Sequence, residues 1–239
     1  MELRFKILRF DPQSDKEAYY KTYTVIARSE ERILDCLNRI KWEQDGTLGY
    51  RMSCAHGVCG SDGMRINGVC ALACQKLVQD YAGSEEITLE PLPFFQVLKD
   101  LIVDMEDFLA RVDSMRPYLI QSEQPPERER LQSQEDHKKL EEAIRCILCA
   151  CCTGSCPVMS ENPNYVGPAA LVWAYRYLYD TRDGESMSRI EKLNEPDSVW
   201  PCENYFECTR VCPKSIPITK SINFMKREIK KQLPESGEQ

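Results

Sequence analysis

The feature that most constrains this 239-residue chain is the spacing of its cysteines. Cys146-x2-Cys149-x2-Cys152-x3-Cys156-Pro157 is a run in which a tight loop wraps three thiolates around one face of an iron–sulfur cubane. The fourth Cys, displaced by one residue and followed by Pro, leaves the loop for a different cluster. Such a run needs a second copy, and there is one: Cys202-x2-Tyr205-x2-Cys208-x3-Cys212-Pro213, with Tyr205 where the second Cys belongs. Crossing the fourth ligands gives two sets. Cys146, Cys149, Cys152 and Cys212 form a four-thiolate set suited to 4Fe–4S. Cys156, Cys202 and Cys208 form a three-thiolate set with an empty corner, where a cubane can lose one iron and rest as 3Fe–4S. Cys151, between ligands, is predicted to be a buried non-ligand.

A third group lies upstream. Cys54-x4-Cys59-x2-Asp62 follows the Cys-x4-Cys-x2-Cys spacing of 2Fe–2S loops, with Asp62 in the third position. Ala55, Gly57, Gly60, Ser61 and Gly63 are small enough for backbone N–H groups to approach inorganic sulfide. A carboxylate can bind iron, so Asp62 is a candidate oxygen ligand; the alternative is that it faces solvent and the cluster finds a ligand elsewhere. Cys70 and Cys74, both after the Asn67-Gly68 turn, are candidates for the fourth position. Cys36, on the apolar side of a predicted helix, reads as core.

Thirteen cysteines could suggest disulfides, but the count is odd, the spacings are tight and no export signal is present. Zinc is the rival metal. Cys-x2-Cys pairs are common in zinc sites, whereas the longer Cys-Pro run used twice is not. A net charge of −7, with both signs spread along the chain, disfavours a dedicated nucleic-acid binder, which should carry a concentrated basic face. No run of about 18 apolar residues is present, so no transmembrane helix is expected. Residues 1–10 alternate charged and apolar side chains and look like neither a signal nor a transit peptide. The chain is therefore expected to stay where it is made or to be a processed mature form.

Around these motifs the pattern is mixed. Leu3, Phe5 and Ile7 alternate with charged residues and predict a strand, paired across a long loop with a β-prone stretch over 19–26. Ile33, Leu34, Leu37 and Ile40 have helical spacing. Asn67-Gly68 predicts a two-residue hairpin turn, and Ile87 and Leu89 another strand. From Leu98 the period changes: Leu98, Leu101, Ile102, Met105, Phe108, Leu109 and Val112 predict one helical face. Residues 121–136, with Pro125-Pro126, read as a polar linker. Leu140, Ala143, Ile144 and Ile147 predict a helix leading into Cys146. Pro168 predicts a helix start, continuing to about Tyr179. Ile218, Ile222, Met225 and Ile229 predict a last amphipathic helix with Lys226, Arg227, Lys230 and Lys231 on its polar side.

The order of motifs closely resembles the iron–sulfur subunits of succinate dehydrogenase and fumarate reductase, the respiratory complex II family. Besides the cysteines, the resemblance is carried by residues 53–63, Ala71-Leu72-Ala73-Cys74, Pro91-Leu92-Pro93, residues 99–104, 146–152 and 166–171, and Val211-Cys212-Pro213-Lys214. It spans nearly the whole chain. It implies an α+β fold: an N-terminal β-grasp plant-type ferredoxin domain over 1–104 holding 2Fe–2S, then an all-helical bacterial-ferredoxin-like domain over 105–239 holding 4Fe–4S and 3Fe–4S. Carried over residue by residue, the 2Fe–2S ligands become Cys54, Cys59, Asp62 and Cys74. Cys36, Cys70 and Cys151 are then outside every ligand set.

The implied role is the electron-transfer subunit of succinate dehydrogenase, relaying electrons between the FAD of a flavoprotein subunit and a membrane quinone. The alternative is the same relay in a fumarate reductase running in the opposite direction. The subunit itself would bind neither FAD nor dicarboxylate. Implied partners are the flavoprotein, membrane anchor subunits that can carry haem b, and quinone. Those partners would hold the chain peripherally on the cytoplasmic face of the inner (cell) membrane. Pro157 is placed as a wall of the quinone pocket. The chain departs from the family there: Val158, Met159, Ser160 and Glu161 follow Pro157 where ubiquinone enzymes often carry Trp, and Glu203 stands where many relatives have His. Menaquinone is therefore open beside ubiquinone. Similar runs occur in stand-alone carriers and in heterodisulfide- or glycolate-oxidising complexes, but residues 99–104 and 166–171 favour complex II.

Overall fold

In the computed structural model, which describes residues 1–121, 124 and 126–234, the chain packs into two units. The first comprises Met1–Met105 and Ile147–Ser155; the second comprises Glu106–Cys146 and Cys156–Gln239. The architecture is mixed α/β, with the sheets in the N-terminal part and helices in the C-terminal part.

In the first unit, β1 (Glu2–Arg9) buries Leu3, Phe5, Ile7 and Arg9 in strict alternation. It pairs antiparallel with β2 (Tyr19–Ile26), Phe5 opposite Tyr23. The helix α1 (Ile33–Arg39) buries Ile33, Leu34, Cys36 and Leu37 and runs on into one π turn, Ile40–Gln44. β3 (Gly63–Ile66) and β4 (Val69–Leu72) form the predicted hairpin. Its turn residues Asn67 and Gly68 have φ of 45° and 82°, the left-handed pair that such a turn requires. β5 (Glu86–Glu90) lies parallel to β1 and antiparallel to β3, giving the order β2-β1-β5-β3-β4. Phe5, Ile7, Ile66, Ile87 and Leu89 are fully buried and form the core of the unit with the apolar face of α1.

The helical face predicted from Leu98 is corrected by the structure. β6 (Val97–Lys99) and β7 (Ile102–Val103) make a small antiparallel hairpin, and only α2 (Glu106–Ser114) is helical. The reason is Asp100, which is buried at the turn with φ of 48°. Its carboxylate accepts from Arg9 Nε at 2.9 Å, Phe10 N at 2.9 Å and Gly49 N at 2.7 Å. Arg9 also reaches Asp45 at 2.8 Å and Thr47 at 2.9 Å. Breaking a buried pair of this kind by removing one partner typically costs about 3–5 kcal/mol, more than helical periodicity can supply.

In the second unit, α3 (Gln134–Leu140) begins at Ser133, whose hydroxyl accepts from Asp136 N at 3.0 Å, so the C-terminal end of the predicted linker is helical. Ser122, Glu123 and Pro125 of that linker lie outside the described residues. The helix predicted to lead into Cys146 is instead a single 3-10 turn, Ala143–Arg145, with Ile144 exposed. The helical turn α4 (Cys151–Gly154) belongs to the first unit, where it packs on β4. Then follow α5 (Val158–Glu161), α6 (Pro168–Leu178), α7 (Ser186–Leu193), α8 (Glu207–Arg210) and α9 (Ile218–Gln232). Pro168 sits at the start of α6 behind Gly167, whose φ is 88°. α6 contacts α2, α7 and α9, and α8 contacts α9. Ile218, Ile222, Met225 and Ile229 are the buried face of α9. Buried Arg189 ties this unit together, pairing with Asp183 at 2.8 Å and donating to the carbonyls of Met115, Arg116 and Tyr118.

Candidate metal centres

The loop before β3 carries Cys54, Cys59 and Asp62, and Cys74, just after β4, meets this loop at Asp62. Three backbone amides point at one sulfur: His56 N at 3.5 Å, Val58 N at 3.3 Å and Cys59 N at 3.3 Å from Cys54 Sγ. These N–H groups favour the thiolate and draw the Cys54 thiol down to about 6. The loop reaches this geometry through left-handed residues at Ala55, Gly57 and Gly60, with φ of 58°, 75° and 71°. A Cβ on Gly57 would run into the Gln75 side chain.

Asp62 is 3% exposed, so the solvent-facing alternative for it does not hold. Its Oδ2 accepts from Cys74 N at 2.6 Å, while Oδ1 is buried without a hydrogen-bond partner. A buried carboxylate oxygen without a donor is costly unless something positive faces it, and a ferric or ferrous ion fits that need. Burial first, then the hydrogen bond to Asp62, pushes the Cys74 thiol up to about 12. That thiol meets the Asp62 carboxylate and the Gly57 amide, within the field of Cys54. Cys70, the other candidate, is buried in β4 and bonds instead to Ser155.

Gly60 and Gly63 have a second use. A Cβ on Gly60 would lie 2.9 Å from both Ile147 O and Cys149 Cβ, and one on Gly63 would lie 2.8 Å from Cys149 O. Within the first unit, therefore, the segment carrying Cys149 rests directly on the loop that carries Cys59 and Asp62.

The two cysteine runs repeat in backbone as well as in spacing. Leu148 and Ala150 have φ of 53° and 61°; their counterparts Asn204 and Phe206 have φ of 62° and 63°. Ala150 opens α4 and Phe206 opens α8 from that left-handed position. Left-handed non-glycine residues are uncommon, and a matched pair in each run fits a loop whose amides turn inward on a cluster. Cys152 is buried; Cys146, Cys149 and Cys212 are half-buried, and Cys212 Sγ accepts from Ile216 N at 3.4 Å. Cys151 is a fully buried thiol that donates to the sulfur of Cys149, a partnership that spacing alone did not reveal. Cys36 is core, as predicted.

In the second unit, Cys156, Cys202 and Cys208 line one pocket, together with Pro157, Glu203 and Tyr205. Burial pushes the Cys156 thiol up to about 11 and raises that of Cys208. An unligated thiol there stays neutral, and a positive metal core would favour the thiolate. Tyr205 is 45% exposed, and its hydroxyl donates to Glu203 Oε2 at 2.8 Å. Cys208 Sγ lies 3.5 Å from Thr219 Oγ1. Among the described residues, no helix is long and apolar enough to cross a membrane.

Comparison with known proteins bears on these sites. The family "2Fe-2S iron-sulfur cluster binding domain" matches residues 4–110, and "4Fe-4S dicluster domain" matches residues 142–216. A succinate dehydrogenase iron–sulfur subunit of Coxiella burnetii (strain RSA 493 / Nine Mile phase I) is 41% identical over 239 residues, covering 99% of this chain and 100% of the relative. A chain of the Mycobacterium smegmatis Sdh1 complex in the apo form superposes with a TM-score of 0.86 at 26% identity, covering 98% of each chain. A hypothetical protein from Helicobacter pylori shares the fold, with a TM-score of 0.62 at 19% identity over 98% of this chain and 41% of the other.

Proposed function

The chain belongs to the iron–sulfur subunits of succinate dehydrogenase, and from that membership we propose a ligand assignment and an electron path. It carries 2Fe–2S and 4Fe–4S clusters and relays electrons within an oxidoreductase complex. The reverse assignment to a fumarate reductase is not favoured, because the full-length relative is a succinate dehydrogenase subunit.

The 2Fe–2S ligands are Cys54, Cys59, Asp62 and Cys74, in a β-grasp plant-type ferredoxin domain over 1–104. The 4Fe–4S ligands are Cys146, Cys149, Cys152 and Cys212, and the 3Fe–4S ligands are Cys156, Cys202 and Cys208, in a bacterial-ferredoxin-like domain over 105–239. When bound, the clusters supply the one-electron chemistry that side chains lack. The chain's own residues do the rest. The amides of His56, Val58 and Cys59 hold negative charge on Cys54. Gly60 and Gly63 let the Cys149 segment approach the first loop, which shortens the step between the first two stations. Burial of Cys156 and Cys208 keeps water from the third. The phenol of Tyr205, with a reference pKa near ~10, is a poor anionic ligand, and its hydroxyl is engaged by Glu203.

Electrons run from FAD in a flavoprotein subunit through 2Fe–2S, 4Fe–4S and 3Fe–4S to quinone. Pro157, which lines the same pocket as Cys156, Cys202 and Cys208, forms a wall of the quinone site. Glu203 and Val158 at the same pocket make menaquinone a candidate beside ubiquinone. Membrane anchor subunits, able to carry haem b, hold the chain on the cytoplasmic face of the membrane.

The observation that carries this reading is that Cys156, Cys202 and Cys208 line one pocket, with the Tyr205 hydroxyl bonded elsewhere. The test is metal and sulfide analysis of the anaerobically purified complex, combined with EPR. About nine irons per chain and three separable cluster signals are expected. Abundant zinc with little iron overturns the assignment.

A further inference from the structure

We infer that Thr219 is a positioning residue for the third cluster: its hydroxyl donates a hydrogen bond to the sulfur of Cys208 and raises that cluster's reduction potential. The inference rests on the three-thiolate reading above.

Two threonines meet this sulfur, since the side chain and amide of Thr209 are also hydrogen-bonded to Cys208, and the arrangement we assign makes Thr219 the hydroxyl donor. Thr219 Oγ1 is 3.5 Å from Cys208 Sγ and 3.1 Å from Thr209 Oγ1, and Thr219 N donates to Thr209 Oγ1 at 3.1 Å. A cluster-bound cysteine is a thiolate and can only accept. Thr219 has one hydroxyl proton to give. Thr209 Oγ1 already receives the Thr219 amide, one of the free N–H groups at the start of α9, and this holds the two threonines face to face. The hydroxyl of Thr209 then donates to Thr219 Oγ1, and the Thr219 proton goes to the sulfur. Every donor in this chain has an acceptor.

The effect on potential follows from charge. Reduction adds an electron to a core and its thiolates that are already negative. A donor aimed at one of those sulfurs stabilises the reduced state more than the oxidised one. Thr219 is 1% exposed and Cys208 is 7% exposed, so water neither screens this bond nor replaces it. In the neighbouring run a donor to Cys149 is a thiol, Cys151, which is a weaker hydrogen-bond donor than a hydroxyl. Thr219 thus adds to what the missing fourth thiolate already does, making the third station the one that most readily holds an electron.

The test uses the assembled complex and two variants at one position. Thr219→Val keeps the shape and the backbone N–H to Thr209 while removing the hydroxyl; Thr219→Ser keeps the hydroxyl. The readouts are EPR-monitored redox titration of all three clusters and ENDOR of the oxidised 3Fe–4S signal before and after exchange into deuterium oxide. In Thr219→Val the potential of this cluster alone should fall, by roughly the 59 mV that a tenfold one-electron shift represents. An exchangeable proton coupling seen in the parent should vanish. Thr219→Ser should restore both. An unchanged potential in a fully loaded Thr219→Val complex overturns the inference, as does an equal fall in Thr219→Ser, which would mean lost packing. A larger fall in Thr209→Val than in Thr219→Val would make Thr209 the donor and overturn the assignment. If Thr219→Val does not assemble, the parent still decides: no exchangeable coupling on its 3Fe–4S signal overturns the inference. A parent with no 3Fe–4S signal at all would instead remove the three-thiolate reading beneath it.

Discussion

The two cysteine runs are a controlled comparison inside one chain. They share spacing, the left-handed pair at 148 and 150 against 204 and 206, and the short helix that follows. They differ at one ligand corner. Cys149 is half-buried, receives a hydrogen bond from Cys151 and lies against the Gly60–Gly63 loop. Tyr205, its counterpart, is exposed and bonded to Glu203. In the proposed ligand sets, the same backbone scaffold thus serves one run with a thiol and the other with a phenol at this corner. The character of a cluster site is set by side chains on a loop whose own shape barely changes.

The largest effects should come from removing ligands, and they test whether the fourth positions cross. Cys212→Ala, in the second run, should abolish the 4Fe–4S signal of the first run. Cys156→Ala, in the first run, should abolish the 3Fe–4S signal. EPR and iron analysis read both, and electron transfer from succinate to quinone should fall to background in each. If Cys212→Ala instead spares 4Fe–4S and removes 3Fe–4S, the crossing is wrong.

Next, Tyr205→Cys should erase the difference between the runs. A thiolate at 205 would complete a four-thiolate set, replacing the oxidised-state 3Fe–4S signal with a 4Fe–4S cluster of much lower potential and slowing quinone reduction. An unchanged 3Fe–4S signal after full iron loading would break the comparison. The first loop offers a parallel case. Asp62→Cys should keep a 2Fe–2S cluster but lower its potential, because a thiolate donates more charge to iron than a carboxylate does. There, Cys74→Ala should cripple the 2Fe–2S signal and Cys70→Ala should leave it.

A smaller effect is expected where the first run meets its neighbour. Gly60→Ala places a Cβ 2.9 Å from the carbonyl of Ile147, backbone that cannot swing aside, at a residue with φ of 71°. Overpacking and left-handed strain together should cost about 2–5 kcal/mol in thermal or denaturant unfolding. Gly68→Ala, at φ of 82° with open space around it, should cost only the strain, about 1–2 kcal/mol. The smallest change tests the shared backbone. Phe206 is 55% exposed in a left-handed conformation, so Phe206→Asn should leave the cluster intact and stabilise the unit by up to about 1 kcal/mol. A loss of stability there would mean that the Phe206 side chain contributes more contact than its exposure suggests.

Much of this molecule is legible without coordinates. Strand alternation at Leu3, Phe5 and Ile7, the Asn67-Gly68 turn, the start of α6 at Pro168 and the buried face of α9 follow from period and turn chemistry, because each depends on neighbours in sequence. Cysteine spacing likewise announces cluster chemistry, since a tight loop can satisfy one face of a cluster by itself. What the sequence left open depends on partners far along the chain. The hairpin at 97–103 exists because Asp100 meets Arg9 and Gly49, and local apolar spacing gives no sign of either. The meeting of Cys74 with the Asp62 carboxylate, whose Oδ2 takes the Cys74 amide, and of Cys70 with Ser155 is likewise invisible in spacing. The association of residues 147–155 with the first unit, and the hydroxyl that Thr219 brings to Cys208, are decided by packing alone. Spacing fixes which atoms can reach a metal, whereas burial and long-range hydrogen bonds fix the charge and potential those atoms will have.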